Sequence, residues 1–249
     1  MSIRLPVLSG VIKRRLLINF RAHPEVVQRL LPSPFQPKLH RGQAVVGICL
    51  IRLEQIRPSG VPAFLGISSE NAAHRIAVEW TDADGKHEGV FVPRRDTGSL
   101  LNRIAGGRIF PGEHHRAKFS ISDADGLIDF SMQSLDASTA VRVVAQETEQ
   151  LPASSCFHSL AESSAFFEGG CLGYSVTREP ARFDGLLLRT LDWRVRALSV
   201  QRVQSSFFND QTRFPAGTIE FDHGLIMRDM RHEWHKADDL HSAPARVAA

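Results

Sequence analysis

The chain has 249 residues, a length at which a β-sandwich or β-barrel still forms a single domain around one core. Apolar residues make up 43% and charged residues 23% of it, which excludes the low-hydrophobicity, high-charge composition of a disordered protein. The formal charge of +3 is carried almost wholly by arginine, and the cations are scattered in runs no longer than Lys13-Arg14-Arg15. Without a basic patch interleaved with aromatic residues, nucleic acid is not an expected partner.

The N-terminal run is broken by Pro6 and Gly10 and is too short for a signal segment, and no stretch is long enough to span a bilayer. A cytoplasmic protein with no membrane partner is expected. Lys13 to Arg21 reads as a strand, and His23 to Leu31 as a short helix with Pro24 at its first position and the Pro32, Pro34, Pro37 cluster as its stop. Gln43 to Arg52 is apolar on both faces, as a central strand is.

The next strand, SSENAAHRIAVEW, is polar at its start: Glu70, Ala72, His74 and Ile76 alternate onto one face, and Asn71, Ala73, Arg75 and Ala77 onto the other. Asp-Ala-Asp-Gly at 82–85 joins it to a strand ending at Arg94, and the same turn at 123–126 joins Ala117–Ser122 to Leu127–Ser134. Thr97 is an expected N-cap for a helix over Gly98–Ala105, with Leu100, Leu101 and Ile104 on one face and Ser99, Asn102 and Arg103 on another. Further strands are expected at Ala140–Glu147, Gly173–Arg178, Leu186–Trp193 and Leu198–Val203. A further helix is expected at Cys156–Phe167, capped by Ser155 and ended by Gly169-Gly170, and the tail from about Asp238 is expected to fray. The spacing of strands and turns predicts one antiparallel barrel or sandwich over residues 1–249, without internal repeats.

The polar stretch from Glu70 to Arg103 is the expected functional region. Arg94, Arg95 and Asp96 lie where the free N–H groups and dipole of the following helix favour an anion, so arginines there suit a carboxylate or phosphate. An equal reading is that Asp96 caps the helix and an arginine pairs with a surface acid. Polar residues at the start of the Glu70 strand suit a pocket mouth, or a solvated strand end.

The order LLINFRAHPEVVQRLLP, AVVGICLIRL, SSENAAHRIAVEW and VFVPRRDTGSLLNRIAGGRIFPG resembles the family called domain of unknown function 2071 and, more remotely, acetoacetate decarboxylase. The resemblance implies a β-rich α+β fold, mainly an antiparallel barrel or cone with short connecting helices, an internal pocket, and often a homo-oligomer. Acetoacetate decarboxylase uses a Schiff-base lysine, an amine kept neutral by an apolar site and a neighbouring cation. The resemblance places that lysine pair on Asn102 and Arg103, neither of which forms an imine, and Glu70 on the position of a pocket glutamate. Of the five lysines (Lys13, Lys38, Lys86, Lys118, Lys236), Lys118 is the mid-strand candidate, and a solvated outer face is its simpler explanation. The expected ligand is a small carboxylate or carbonyl compound. Glu70, Asn102 and Arg103 would stand at the reacting centre, with Arg75, Arg94, Arg95, Asp96 and Ser99 binding; a noncatalytic salt-bridge network of the same residues is the alternative.

No cofactor or metal is expected. His223, His232, His235 and His241 lack a defined ligand set and read as a surface cluster, although His232 and His235 would share a face if helical. Cys49, Cys156 and Cys171 form no CxxC pair and read as buried thiols, and Cys156 and His158 diverge on a helix.

Overall fold

The computed structural model describes residues 6–99 and 112–242 of the chain. Among the described residues, fourteen strands form one mixed sheet. In chain order they are β1 (Leu8–Ala22), β2 (Gln36–Pro37), β3 (Leu39–His40), β4 (Gln43–Pro58), β5 (Ile67–Asp82), β6 (Gly85–Thr97), β7 (His114–Ala124), β8 (Leu127–Ser134), β9 (Ala140–Thr148), β10 (Leu172–Val176), β11 (Arg182–Thr190), β12 (Arg196–Ser205), β13 (Ile219–Lys236) and β14 (Leu240–His241). Helices α1 (Pro24–Gln28) and α2 (Leu160–Gly169) lie in connections.

The pairing order β6-β7-β8-β9-β12-β13-β1-β4-β5 returns to β6, so these strands close a ring. A second path from β6 through β10 and β11 to β13 closes another ring on the opposite side of the same wall. That wall, β13-β1-β4-β5-β6, therefore has a core on each face. Period-two alternation sorts its side chains: Leu16, Ile18, Val46, Ile48, Leu50 and Ile76 enter the first core, while Leu17, Val45, Cys49, Ile51, Leu53 and Ala77 enter the second. Burial on both faces explains the apolar runs Leu16–Ile18 of β1 and Ala44–Ile51 of β4.

Most pairs are antiparallel, but β6 runs parallel to both β7 and β10. The expectation of a mainly antiparallel sheet thus becomes a mixed sheet. Both Asp-Ala-Asp-Gly hairpins form, with different loops. Asp82 pairs with Gly85 around Ala83-Asp84. Ala124 pairs with Leu127 around Asp125-Gly126, whose φ values of 52° and 76° suit a type I′ turn.

Several boundaries differ from expectation. Helix α2 begins at Leu160 because Ser159, not Ser155, accepts the N–H of Glu162, at 3.1 Å; the Ser155 hydroxyl instead accepts from Phe157 N–H. Helix α1 ends at Gln28, short of Leu31. Part of the tail is fixed, since Leu240–His241 pairs with Arg182–Phe183. Strand β13 is the largest correction: its 18 residues bury His223 and His232, which are no surface cluster, and in a strand His232 and His235 point to opposite faces. Asn102, Arg103 and most of the expected helix over Gly98–Ala105 lie outside the described residues. Among the described residues no helix is long and apolar enough to cross a membrane, and no cluster of His, Cys, Asp or Glu could hold a metal ion.

Candidate functional site

The second core is incompletely filled and contains a cavity of about 120 Å³. β1 contributes Arg15 to its wall, β4 contributes Cys49, Ile51 and Leu53, β5 contributes Asn71 and Arg75, and β6 contributes Val90, Val92 and Arg95. Gly173, Leu186, Leu188, Trp234, Cys171 and His114 also line the cavity. A cavity close to the ~150 Å³ that admits benzene suits a ligand of roughly six non-hydrogen atoms.

Two backbone features bring the arginines together. The pairing of β5 with β6 shifts register between His74 and Ile76, so Ala73 opposes Arg95 while Ala77 opposes Val90. Arg95 thereby shares a face with Val90 and Val92, although uninterrupted alternation would have put Arg94 there. The parallel pairing of β6 with β7 then sets His114 beside Arg95.

The three guanidiniums are held by neutral groups. Arg75 Nη2 donates to Asn19 Oδ1, and its Cζ lies 4.7 Å from the ring centre of Phe167. Arg95 Nε donates to Ser175 Oγ at 2.9 Å, and Arg15 Nε to Cys49 Sγ at 3.4 Å. None of the three forms an ion pair with a carboxylate among the described residues, whereas Arg14, Arg21, Arg94, Arg182 and Arg228 all do. Arg75 Nε and Arg15 Nη1 are buried without a hydrogen-bond partner. Desolvation lowers Arg75 and Arg95 to about 10, so both stay protonated at neutral pH and gain from any anion that joins them. His114 is pushed down to about 3, first by burial and then by Arg95, and is a neutral imidazole, too weak a base for proton abstraction at neutral pH.

The remaining expected residues serve elsewhere. Glu70 is on the other face of β5, where its carboxylate meets Arg14 at 2.9 Å and Arg52 at 4.0 Å. Burial raises its pKa against the pull of those cations. Arg94 donates to both oxygens of Asp96, at 3.1 and 3.2 Å, and reaches Asp136 at 3.3 Å. Asp96 forms part of the cavity wall, but its carboxylate, 0% exposed, is engaged by Arg94. The Ser99 N–H donates to Thr97 Oγ1, which itself donates to Asn71 Oδ1 at 2.7 Å. Lys118 is exposed on β7, on an open surface groove. Lys38 comes nearer, lining a small neighbouring cavity that shares Arg15 and Arg75, but its ammonium is 2.6 Å from Glu88. Arg15 was not expected from the sequence, where it reads only as the last of three consecutive cations, Lys13-Arg14-Arg15, ahead of the apolar part of β1.

With the geometry in place, solved structures define the class of fold: that of acetoacetate decarboxylase. The acetoacetate decarboxylase of Legionella pneumophila subsp. pneumophila str. Philadelphia 1 superposes with a TM-score of 0.60 over 98% of this chain and 90% of that one, at 11% identity. An acetoacetate decarboxylase-like enzyme from Sphingomonas wittichii RW1 gives 0.59 over 96% and 94%, at 14% identity. The enduracididine biosynthesis enzyme MppR complexed with pyruvate gives 0.54 over 97% and 92%, at 13% identity. At such identities the likeness is one of fold. Residues 11–206 match domain of unknown function 2071 (DUF2071), described as an uncharacterized conserved protein, and the chain belongs to that family. No curated protein matches the sequence.

Proposed function

We propose that the protein binds a small carboxylate or carbonyl compound of pyruvate size in the cavity of the second core. The observation that carries this reading is the set of three arginines, Arg15, Arg75 and Arg95, on one cavity without a carboxylate partner among the described residues. A buried, unpaired guanidinium costs several kcal/mol, and a bound carboxylate offsets that cost with bidentate, charge-assisted hydrogen bonds. Cavity size and the apolar side formed by Leu53, Leu186, Leu188 and Trp234 favour a short acyl chain over a phosphate ester. The pyruvate complex of MppR supports the ligand class.

The reading assigns no imine step. No lysine is among the described residues of the cavity wall, and Arg75 and Arg95 could stabilise an enolate or oxyanion without one. Glu70, Arg94 and Asp96, with Arg14 and Asp136, belong in this reading to the supporting ion-pair network, so the binding and structural alternatives apply to different residues of the same segment.

Thermal shift and calorimetric titration with pyruvate and acetoacetate test it. A ligand at a hundred times its Kd should raise Tm by roughly 5–10 °C, and Arg95→Met should abolish that rise while retaining the fold. Borohydride with pyruvate should label no lysine. If neither acid shifts Tm or binds, the reading is wrong; a lysine adduct would overturn the exclusion of imine chemistry.

A further inference from the structure

A line of buried polar side chains leads away from the cavity behind Arg75. Arg75 Nη2 donates to Asn19 Oδ1. Asn19 Nδ2 lies 3.0 Å from His223 Nε2, and Ser163 Oγ lies 2.8 Å from the same nitrogen. His223 Nδ1 is 2.5 Å from Asp222 Oδ2. Asn19, Ser163 and His223 are 0% exposed and Asp222 is 2% exposed. At the far end Asp222 accepts from Arg21 Nη1 at 3.2 Å, Ser155 Oγ at 2.7 Å and the N–H of Cys156 at 2.8 Å.

Each polarity along this line follows from the one before it. Burial works against the Asp222 carboxylate, but hydrogen bonds from His223, Ser155 and Cys156 outweigh it and hold the group well below the usual carboxylate range. An ionised carboxylate only accepts, so His223 Nδ1 carries the proton. Burial, ahead of the opposing pull of Asp222, keeps the imidazole from taking a second proton, so Nε2 is an acceptor. The amide NH2 of Asn19 must then point at His223, and its carbonyl oxygen at Arg75. An amide that could otherwise be read in either orientation is thereby assigned by its neighbours. The Asp–His–Ser connectivity also matches a hydrolytic triad, but Ser163 is enclosed in the packing of α2 and lines no described cavity.

We propose that Asp222, His223 and Asn19 are positioning residues that hold Arg75 in the cavity wall through a neutral acceptor, so that its whole positive charge is available to an anionic ligand. This rests on the proposed function and explains a choice the fold makes. A carboxylate at position 19 would hold Arg75 more strongly but neutralise it, closing the site to anions. The acid that anchors the line stands two side chains behind Asn19, where it orients Arg75 without pairing with it.

The test combines titration of pyruvate with imidazole ¹⁵N NMR. Asn19→Asp gains an ion pair with Arg75 but sets a carboxylate oxygen against the acceptor His223 Nε2, so Tm is not the readout; a variant that keeps the wild-type circular dichroism should weaken pyruvate binding at least ~tenfold, the value of one charge-assisted hydrogen bond. The ¹⁵N shifts of His223 in the wild-type protein should report the neutral Nδ1–H tautomer, and Asp222→Asn should change that signature and weaken binding together. Undiminished pyruvate binding by folded Asn19→Asp overturns the inference while leaving the proposed function standing. So does an Nε2–H tautomer in the wild type, a measurement that needs no variant and decides the matter if Asn19→Asp does not fold. A wild-type protein that binds neither pyruvate nor acetoacetate overturns the proposed function itself.

Discussion

Adjacent arginines on β6 have opposite fates. Arg94 is bound to the fully buried Asp96, so Arg94→Ala leaves a carboxylate without its partner and should cost about 3–5 kcal/mol in urea unfolding. Pyruvate affinity of the folded fraction should fall less than in Arg95→Met. Arg95→Met removes a buried cation with no acid to orphan, and should cost little stability or even add some while abolishing ligand binding. The reverse pattern, with Arg94→Ala losing binding and Arg95→Met losing the fold, would exchange the roles assigned to them. That arginines concentrate here was legible in the sequence. Which of them reaches the cavity was not, because simple alternation from Val90 and Val92 selects Arg94, and the register shift near His74 reverses that choice. Glu70 shows the converse case: alternation separated it correctly from Arg75, and only the positions of Arg14 and Arg52 on neighbouring strands showed which face was the ion-pair face.

Among the elements, β6 is the hinge of the architecture. It is antiparallel to β5 along its length and parallel to β10 and β7 at different points, so one strand borders both rings. The approach of β10 is close: a Cβ on Gly89 would lie 2.3 Å from the carbonyl oxygen of Leu172. Gly89→Ala should therefore push β10 from β6, destabilise by about 1–3 kcal/mol in denaturant unfolding, and loosen the cavity wall formed by Gly173 and Leu186. Wild-type stability and wild-type ligand affinity in that variant would show that the approach is not constrained. The hairpins and the two-sided strand over Gln43–Arg52 were readable because turn chemistry and apolar runs are local. β13 escaped because its charged residues Arg228, Asp229, Arg231 and Glu233 mask the alternation, and Asp229 interrupts it with a φ of 54°. Its strand identity comes from pairing with β1 along nearly its whole length.

Across the whole molecule, histidines are kept neutral in both cores, which sets the response to acid. Burial is the first cause that holds His74 and His114 at about 3 and His232 at about 4, against an ordinary value of 6.5. In the unfolded chain these groups take up protons as pH falls below about 6.5, while the folded protein does not, so the unfolded state binds more protons and folding weakens. Stability should be nearly level from about pH 7 to pH 8 and should fall on acidification from about pH 6 to pH 4, by about 1.4 kcal/mol per histidine for each pH unit. His74→Gln, if it folds, should make that slope shallower, the remainder resting on His40, His114, His223 and His232, whose burial also lowers their pKa; an acid limb unchanged from pH 6 to pH 4 would place the loss on carboxylates instead. The sequence by itself determined that the chain is strand-rich, where its hairpins turn, that Gln43–Arg52 is apolar on both faces, and that polar residues concentrate from Glu70 to Arg103, since each of these follows from residue order over a few neighbours. Only the tertiary structure decided that Arg15, Arg75 and Arg95 share one cavity, and that Asn19 and His223 stand behind it. Those residues lie on strands brought together by ring closure, a register shift and parallel pairing, none of which leaves a local trace in the chain.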